Sequence, residues 1–562
     1  MKFNSINRLG DWNPQLLREL KGRLKPRNIL LPIVISLLGQ CLLLMSFQIQ
    51  LPTRDLVYKG YDNKYCTGAV GYQYPKCLTD ELDNVITNWQ LWSQDIFTSL
   101  SLIACFTLLV AGSYLLINDL ANEERRETLN FIRLSPQSPQ SILSGKMLGV
   151  PILMYLVVFL AIPLHLWSGL SANIPLISIL SFYTVILTTS LFYYSGALLF
   201  GLVGSWLSGF QAWLGSGVVL GFLLLTQKST IPEMPDDNPL IILRLFNPYN
   251  LTPNSVLLDS STFANFHWFA LPLGASFFAT VGFTLLINGL GTYCIWQSLQ
   301  RCFRDANATM LSKQQSYLLT SVFTVITLGC ANWQELVFKH SPRMQLISEN
   351  VACLLLLYFG LFLYLIAALS PHRQTSQDWA RYRKMYSSQQ LGDGKLFKDL
   401  IWGEKSPGLL AIAINAMIVI TSLIIFISLP NLGIDHKIYA FYALAIAGSL
   451  VMLYAALVQL TLLMKNQHRV FWSVGIVGAV IVLPVIIGAM FYSYSSHNSF
   501  LWLFTIAAPI LVISPEGKSL SAITLFIAIL SHWSLLGLLI FQLTRKLRKA
   551  GESATKVLLA QG

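Results

Sequence analysis

The sequence predicts an all-α integral membrane protein crossing the bilayer about a dozen times, and three observations predict it. The 562 residues are 54% hydrophobic and only 11% charged, where soluble domains carry roughly 25% charge. Mean hydropathy is +0.58, and the apolar residues fall in runs of the ~20 residues that a helix needs to cross a bilayer. Of the 38 Lys and Arg residues, about 28 fall in alternate inter-run segments, 1–28, 118–146, 298–316, 371–406, 465–469 and the tail from 544, while Asp and Glu divide almost evenly. That is the positive-inside pattern, and it assigns both termini to the cytoplasm. The net charge of +12 is thereby spread along cytoplasmic lipid headgroups, with no compact basic face for nucleic acid.

The spans are drawn at 29–48, 95–117, 145–166, 175–204, 207–226 and 268–297, then at 317–333, 346–369, 408–429, 439–464, 470–492 and 518–543. Two six-helix halves follow, 29–300 and 301–543, with a basic cytoplasmic tail at 544–562. The halves share a layout: each puts its longest cytoplasmic loop between its second and third spans, at 118–146 and 371–406. Each also carries extra outer material before its last span, at 227–267 and 491–518. The run Phe500–Ile513 is short for a span and reads as re-entrant or interfacial. The first run starts behind a long basic segment, so it reads as a retained span rather than a cleaved leader. Of eight cysteines, Cys66 and Cys77 alone share a loop, 49–94, assigned to the outer side. A disulfide there and two free thiols are both open readings.

Ahead of the first span, Asn13 can cap a helix with Pro14 at its first position. Trp12, Leu16, Leu17, Leu20 and Leu24 then recur at helical spacing, with Arg18, Lys21, Arg23 and Lys25 largely elsewhere. Residues 1–28 therefore read as a basic amphipathic helix lying in the membrane interface.

The loop from Asn118 to Lys146 is the most informative segment. It extends the second span into water as a charged helix, with Glu123 spaced to pair with Arg126. Leu129, Phe131 and Ile132 offer an apolar patch. Ser135-Pro136 and Ser138-Pro139 each combine a cap residue with a helix-starting proline. The expected product is a short rigid elbow projecting from the membrane. Catalytic signatures are missing: there is no GxxxxGK[ST], HExxH, CxxC or GxSxG string. The spans are almost free of ionisable side chains, which argues against proton-coupled transport. His165, near one end of the third span, reads as a wetted interfacial side chain.

The elbow resembles that of the permease subunit of type-2 ATP-binding-cassette exporters, whose pattern is an acidic run, Gly-Thr-Leu, a Leu-rich turn, Pro-x-Ser, and Gly-Lys opening the next span. Glu123, Glu124, Thr128, Leu129, Ile132, Leu134, Pro136, Ser138, Ile142, Gly145 and Lys146 stand in or beside those places, and Glu127 stands where the family has glycine. The resemblance covers about the first 300 residues. It implies that the elbow is a coupling helix docking on a separate soluble ATPase subunit. It also implies that this chain is no enzyme and holds no cofactor, ATP and Mg²⁺ belonging to the partner, and that it resides in a bacterial plasma membrane. In the second half, Trp379, Arg383, Trp402, Glu404, Ser406 and Pro407 mark either a diverged second coupling element or a lipid-facing basic loop, with Ser406-Pro407 again suited to start a helix. The transported substrate is not legible. Other classes compatible with the sequence are a secondary transporter and a transferase acting on lipid-linked donors, the latter drawing its acid or base from Asp55, Asp62, Asp80, Glu81 or Asp83.

The loop assignments make a direct expectation: reporter fusions within 49–94 and within 371–406 will report opposite sides of the membrane. Finding both on one side refutes the topology.

Overall fold

The computed structural model describes residues 10–53, 62–69, 74–81, 84–227, 238–254, 263–334, 344–387, 393–429, 434–492, 502–514 and 520–560. Helix dominates the described residues, and ten helices among them are long and apolar enough to cross a membrane. The chain is a multi-pass, all-α integral membrane protein. It forms two compact units. One comprises Met1–Asp236, Leu243–Asn265 and Leu273–Gln300; the other comprises Asp237–Ile242, Phe266–Pro272 and Arg301–Gly562.

The first unit opens with α1 (Pro14–Arg23) and α2 (Pro26–Ile49). A long α3 (Trp89–Arg125) is followed by the short α4 (Thr128–Arg133) and by α5 (Pro139–Gly149). Then come α6 (Ile152–Ser171), α7 (Leu176–Val203), α8 (Gln211–Thr226) and α9 (Phe277–Arg304). The core lies along α3, where Ile96, Phe97, Leu109, Leu116, Ile117 and Leu120 are all but sealed. By contrast α2 turns Leu30, Leu31, Leu38 and Leu42 outward, a face that only lipid can solvate. Within α3 a π-helical turn at Thr107–Ala111 loosens the backbone ladder. The Tyr194 hydroxyl on α7 donates to Leu108 O at 2.8 Å, tying that turn to its neighbour.

The second unit runs through α10 (Lys313–Gly329), α11 (Met344–Leu369), α12 (Arg373–Ser387) and α13 (Asp393–Trp402). It continues with α14 (Leu409–Ser428), α15 (Ile434–Leu462), α16 (Arg469–Tyr492), α17 (Ala508–Ile513) and α18 (Ala522–Ala560). One hydrophobic core joins α11, α14 and α15, with Leu354, Leu365, Ile412, Leu423, Ala443 and Ala455 at its centre.

Two of the expected spans differ from the sequence reading. The runs expected at 207–226 and 317–333 form α8 and α10, of 16 and 17 residues, because Gly204–Phe210 winds as a 3₁₀ segment and Gly329 ends the other. At 1.5 Å per residue each is about 25 Å long, short of the ~30 Å hydrocarbon core. The short run near Phe500–Ile513 does yield a helix, α17, of six residues.

In the loop 62–87, isolated bridges pair Asp62 with Lys76, Cys66 with Thr87 and Thr79 with Val85. Cys66 and Cys77 are bonded to each other there. The Tyr65 hydroxyl donates to Asp95 Oδ2 at 2.8 Å, and Lys64 forms an ion pair with the same carboxylate. Asp55 and Asp83 lie outside the described residues. His165 is not wetted: it is buried, with Nε2 2.8 Å from Ser101 Oγ and Nδ1 2.8 Å from Tyr183 OH. Both ring nitrogens are satisfied inside the helix bundle, which removes the need for water.

Candidate functional site

The last turns of α3 carry two carboxylates, Asp119 and Glu123, on one face because they are four residues apart. Lys146, in α5, reaches them both. Its Nζ lies 2.7 Å from Asp119 Oδ2, 2.8 Å from Glu123 Oε2 and 3.8 Å from Glu19 Oε1 on α1, and the side chain is 0% exposed. Arg23 closes the other side, with Nη2 2.7 Å from Asp119 Oδ1 and Nε 3.2 Å from Glu19 Oε2, while Arg18 Nη2 stands 3.9 Å from Glu123 Oε1. Three acids thus face three bases, and three helices distant in sequence meet at one ammonium. Burial by itself would pull the Lys146 pKa down; Asp119 and Glu123 outweigh it and hold the group above the usual lysine value. A lysine so held keeps its proton and acts as a fixed charge, with no role as a proton carrier. The carboxylates of Glu19, Asp119 and Glu123 lie close enough together to hold a cation, and the ammonium already supplies it.

The polar face of α1 makes this junction. Asn13 Oδ1 accepts from Leu16 N at 2.9 Å, capping α1, and Asn13 Nδ2 donates to Ser141 O at 2.8 Å on α5. The close approach requires glycine on α5: a Cβ at Gly145 would sit 2.7 Å from Asn13 Oδ1 and 2.8 Å from Leu16 N, and one at Gly149 would sit 2.5 Å from Glu19 Cβ. Leu16 is buried in the contact, whereas Trp12 and Leu24 stay exposed. So α1 clamps its polar face to α5, leaves Arg18 and Lys21 exposed on its outer side, and half-buries Leu17 and Leu20, while Trp12 and Leu24 lie just beyond its two ends.

Between α3 and α5 the chain makes the elbow. Arg126 ends α3, Glu127 adopts φ 58° and ψ 9°, and α4 follows. Thr128 Oγ1 donates to Glu123 O at 3.1 Å across the break. Glu124 hydrogen-bonds Ser205 and lies beside Arg133. On α4, Leu129 and Ile132 turn inward and are buried, while Phe131 is 80% and Leu134 86% exposed. Ser138 Oγ accepts from Ser141 N at 3.2 Å and caps α5, with Pro139 at its first position. Pro136 is exposed, and Ile142 is buried under α5.

Four expectations are corrected here. Glu123 pairs with Lys146 and Arg18 rather than Arg126, because α3 turns that face inward. The apolar patch is not Leu129, Phe131 and Ile132 together; helical geometry splits it, sending Leu129 and Ile132 under the elbow. Gly145 and Lys146 belong to the internal junction and are unavailable to a partner. Of the two Ser-Pro pairs, only Ser138-Pro139 starts a helix. Sequence reasoning missed Glu19 and Asp119, and it gave Asn13 and Arg23 a place in the first helix without their part in this junction. The acid pair four residues apart at the end of α3, and the lone Glu19–Arg23 pair in a basic helix, were the available signals.

The second unit holds its own buried lysine. Lys313, in the first turn of α10, donates from Nζ to Leu400 O and Ser406 Oγ at 2.6 Å each and to Pro407 O at 3.3 Å. Burial pushes its pKa down to about 8, with Asp399 opposing the shift. Ser406 donates onward to Asp399 O at 2.8 Å. It therefore does not cap a helix as expected; α14 begins at Leu409, after Gly408. Trp379 Nε1 donates to Asp399, joining α12 to α13. Glu404 takes a two-pronged bond from Arg301, at 2.8 Å to each oxygen, and that bond lowers its pKa below the usual carboxylate value. Trp402 is half exposed, edge-on to Tyr317, and Arg383 is half-buried.

Comparison with protein-family models, curated proteins and solved structures finds no match.

The two lysines give opposite tests. Lys146→Met strands three carboxylates with only two arginines, and is expected to cost about 3–5 kcal/mol. Thermal unfolding in detergent reads it against the exposed Lys549→Met, and equal melting shifts would refute the cluster's role. For Lys313, the folded-state pKa lies below the ordinary ~10.4, so the unfolded chain holds more protons between about pH 8 and that value. Stability contributed through this group therefore rises with pH across that window. The melting temperature is expected to climb by on the order of a few degrees, and Lys313→Met should flatten the rise. A slope unchanged in the variant overturns the assignment.

Proposed function

We propose that this chain is the membrane-spanning permease of an ATP-binding-cassette exporter, moved by a separate soluble ATPase that grips the elbow at α4. The observation that carries the reading is the division of labour around Lys146. A handle that transmits force must be rigid where it joins the membrane helices and sticky where it meets its driver. The ion cluster fastens α3 to α5 at 2.7–2.8 Å and to α1 at 2.7 Å, through Lys146 and Arg23, on the inner side of the elbow. On its free side Phe131 and Leu134 stand exposed, two large apolar groups a few residues along the chain from the exposed Arg125 and Arg126. Exposed aromatic and aliphatic anchors rimmed by charge are the composition of a protein docking spot.

The permease pattern has glycine where this chain has Glu127, and Glu127 takes the left-handed conformation that glycine adopts most readily. The turn that the family makes with glycine is made here by a residue that pays a steric cost of roughly 1–2 kcal/mol. The same conformation explains why the helix breaks between α3 and α4.

On this reading ATP and Mg²⁺ bind in the partner, and closure of its nucleotide sites pushes α4. The buried cluster passes that displacement to α3, α5 and α1 as one body. The basic loops face the cytoplasm, in what we take to be a bacterial plasma membrane. In the second unit, Glu404, Ser406 and Pro407 are committed to Arg301 and Lys313, so a partner would meet Trp402 and the exposed face of α12 instead.

Gentle purification is expected to recover an ATP-hydrolysing subunit bound to the chain. Phe131→Asp and Leu134→Asp should each lower its recovery at least tenfold while leaving the melting temperature of the chain unchanged. Full retention in both variants, or transport by the isolated chain in vesicles without any nucleotide-hydrolysing companion, overturns the proposal.

A further inference from the structure

Helix α1 meets the rest of the chain with one side and leaves the other bare. Its polar side closes the Lys146 cluster through Glu19 and Arg23. The leucines that sequence periodicity assigns to the bilayer are drawn into protein contacts instead: Leu16 is buried, and Leu17 and Leu20 are half-buried. What remains outward is charge. Arg18 and Lys21 are three residues apart, hence on one face, and both are exposed. Lys25 and Arg27, at the turn into α2, are exposed as well. Glu19 is spent inward, so Asp11, ahead of the helix, is the one exposed acid among residues 10–28.

These bases are available. Arg18 Nη2 stands 3.9 Å from Glu123 Oε1, at the outer edge of an ion pair, and the side chain is 57% exposed. Lys21, Lys25 and Arg27 join no ion pair among the described residues. The patch also sits where the chain enters the hydrocarbon. Arg27 lies in the first turn of α2, one helical turn before Leu31. Beyond it α2 exposes Leu30, Leu31, Ile35, Leu37 and Leu38, a surface that lipid tails cover. Trp12, 67% exposed, stands at the other end of α1, and indole favours the headgroup layer. Position narrows the occupant. A free phosphate or an acidic protein would answer the charge and leave α2 bare. An anionic lipid answers both, with its headgroup against the bases and its tails against the leucines. A zwitterionic lipid carries its own cation and gains little there.

We propose that the outer side of α1, together with Lys25 and Arg27, binds the headgroup of an anionic phospholipid whose acyl chains lie along α2. The inference goes beyond the ATPase-coupled reading and does not depend on it. Helix α1 meets the membrane by charge, without inserting an apolar face. The lipid thereby takes hold of the same helix that closes the Lys146 cluster from its inner side.

The test uses the full chain in phosphatidylcholine vesicles doped with one of two probes, phosphatidylglycerol or phosphatidylcholine carrying a diazirine in the headgroup. After irradiation, attachment sites are mapped by mass spectrometry at residues 12–28, with the basic stretch 545–549 as internal reference. The phosphatidylglycerol probe is expected to label 12–28 about fivefold more than the phosphatidylcholine probe, the scale of one basic residue engaging an anionic surface. High salt should erase most of that difference, because exposed charges are screened. Neutralising the patch with Arg18→Gln, Lys21→Gln, Lys25→Gln and Arg27→Gln together should bring the two probes level at 12–28, leaving 545–549 and the melting temperature unchanged. A charge-conserving chain, Arg18→Lys with Arg27→Lys, should keep the preference, and these two arms decide should the neutralised chain melt early. Equal labelling of 12–28 by both probes in the unaltered chain overturns the proposal. So does a preference that survives neutralisation or high salt, or one that the charge-conserving chain loses. Abolition of the preference by dissolved glycerol 3-phosphate at matched ionic strength overturns it too, since the site would then belong to a free phosphate ester.

Discussion

The structure of the first unit depends on one buried ammonium. Lys146 has lost all contact with solvent, and an isolated charge so placed would cost several kcal/mol. It is tolerable because Asp119 and Glu123 come from one helix face and Glu19 from another, with Arg23 and Arg18 neutralising the excess acid. The consequence is mechanical. None of α1, α3 and α5 can shift by an ångström or two without parting a charge from its partner in a low-dielectric setting. A buried ion pair is poor evidence of stability gained over an apolar alternative, but it does fix register. Here the register it fixes is that of the elbow relative to the helices that enter the membrane.

Lys313 shows how differently a second buried lysine can be held. It is met by a serine hydroxyl and two backbone carbonyls, with Asp399 acting from farther off. Dipoles stabilise the ammonium less than two touching carboxylates do, so burial wins and its pKa falls, whereas that of Lys146 rises. Lys146 closes the loop 118–146 and Lys313 bonds the end of the corresponding loop 371–406 through Leu400 and Ser406, yet one is a fixed charge and the other can lose its proton in mildly basic solution. Similar layout has not produced the same electrostatics.

The outward side of α4 follows from helical geometry acting on a short apolar sequence. With only Thr128–Arg133 in the helix, residues three apart share a face: Leu129 and Ile132 point inward, and Phe131 and Leu134 the other way. A docking surface and its own foundation are thus interleaved within six positions. Substitutions at adjacent residues would report on different things, stability for Leu129 and contact for Leu134.

The sequence by itself determined the class of the protein and the position of most spans. Apolar runs of the right length have one stable form in lipid, because every backbone group must be satisfied within the segment. It also determined the caps at Asn13 and Ser138, since those depend on neighbours within three residues. What only the tertiary structure decided is where the charges of the elbow go. Glu19, Asp119 and Lys146 are separated by 100 and 27 residues in the chain, and no local period connects them. Their meeting depends on α1 folding back onto α5 through the bare backbone of Gly145 and Gly149. Local pattern sets which helices form, and long-range packing sets which side chains they hide.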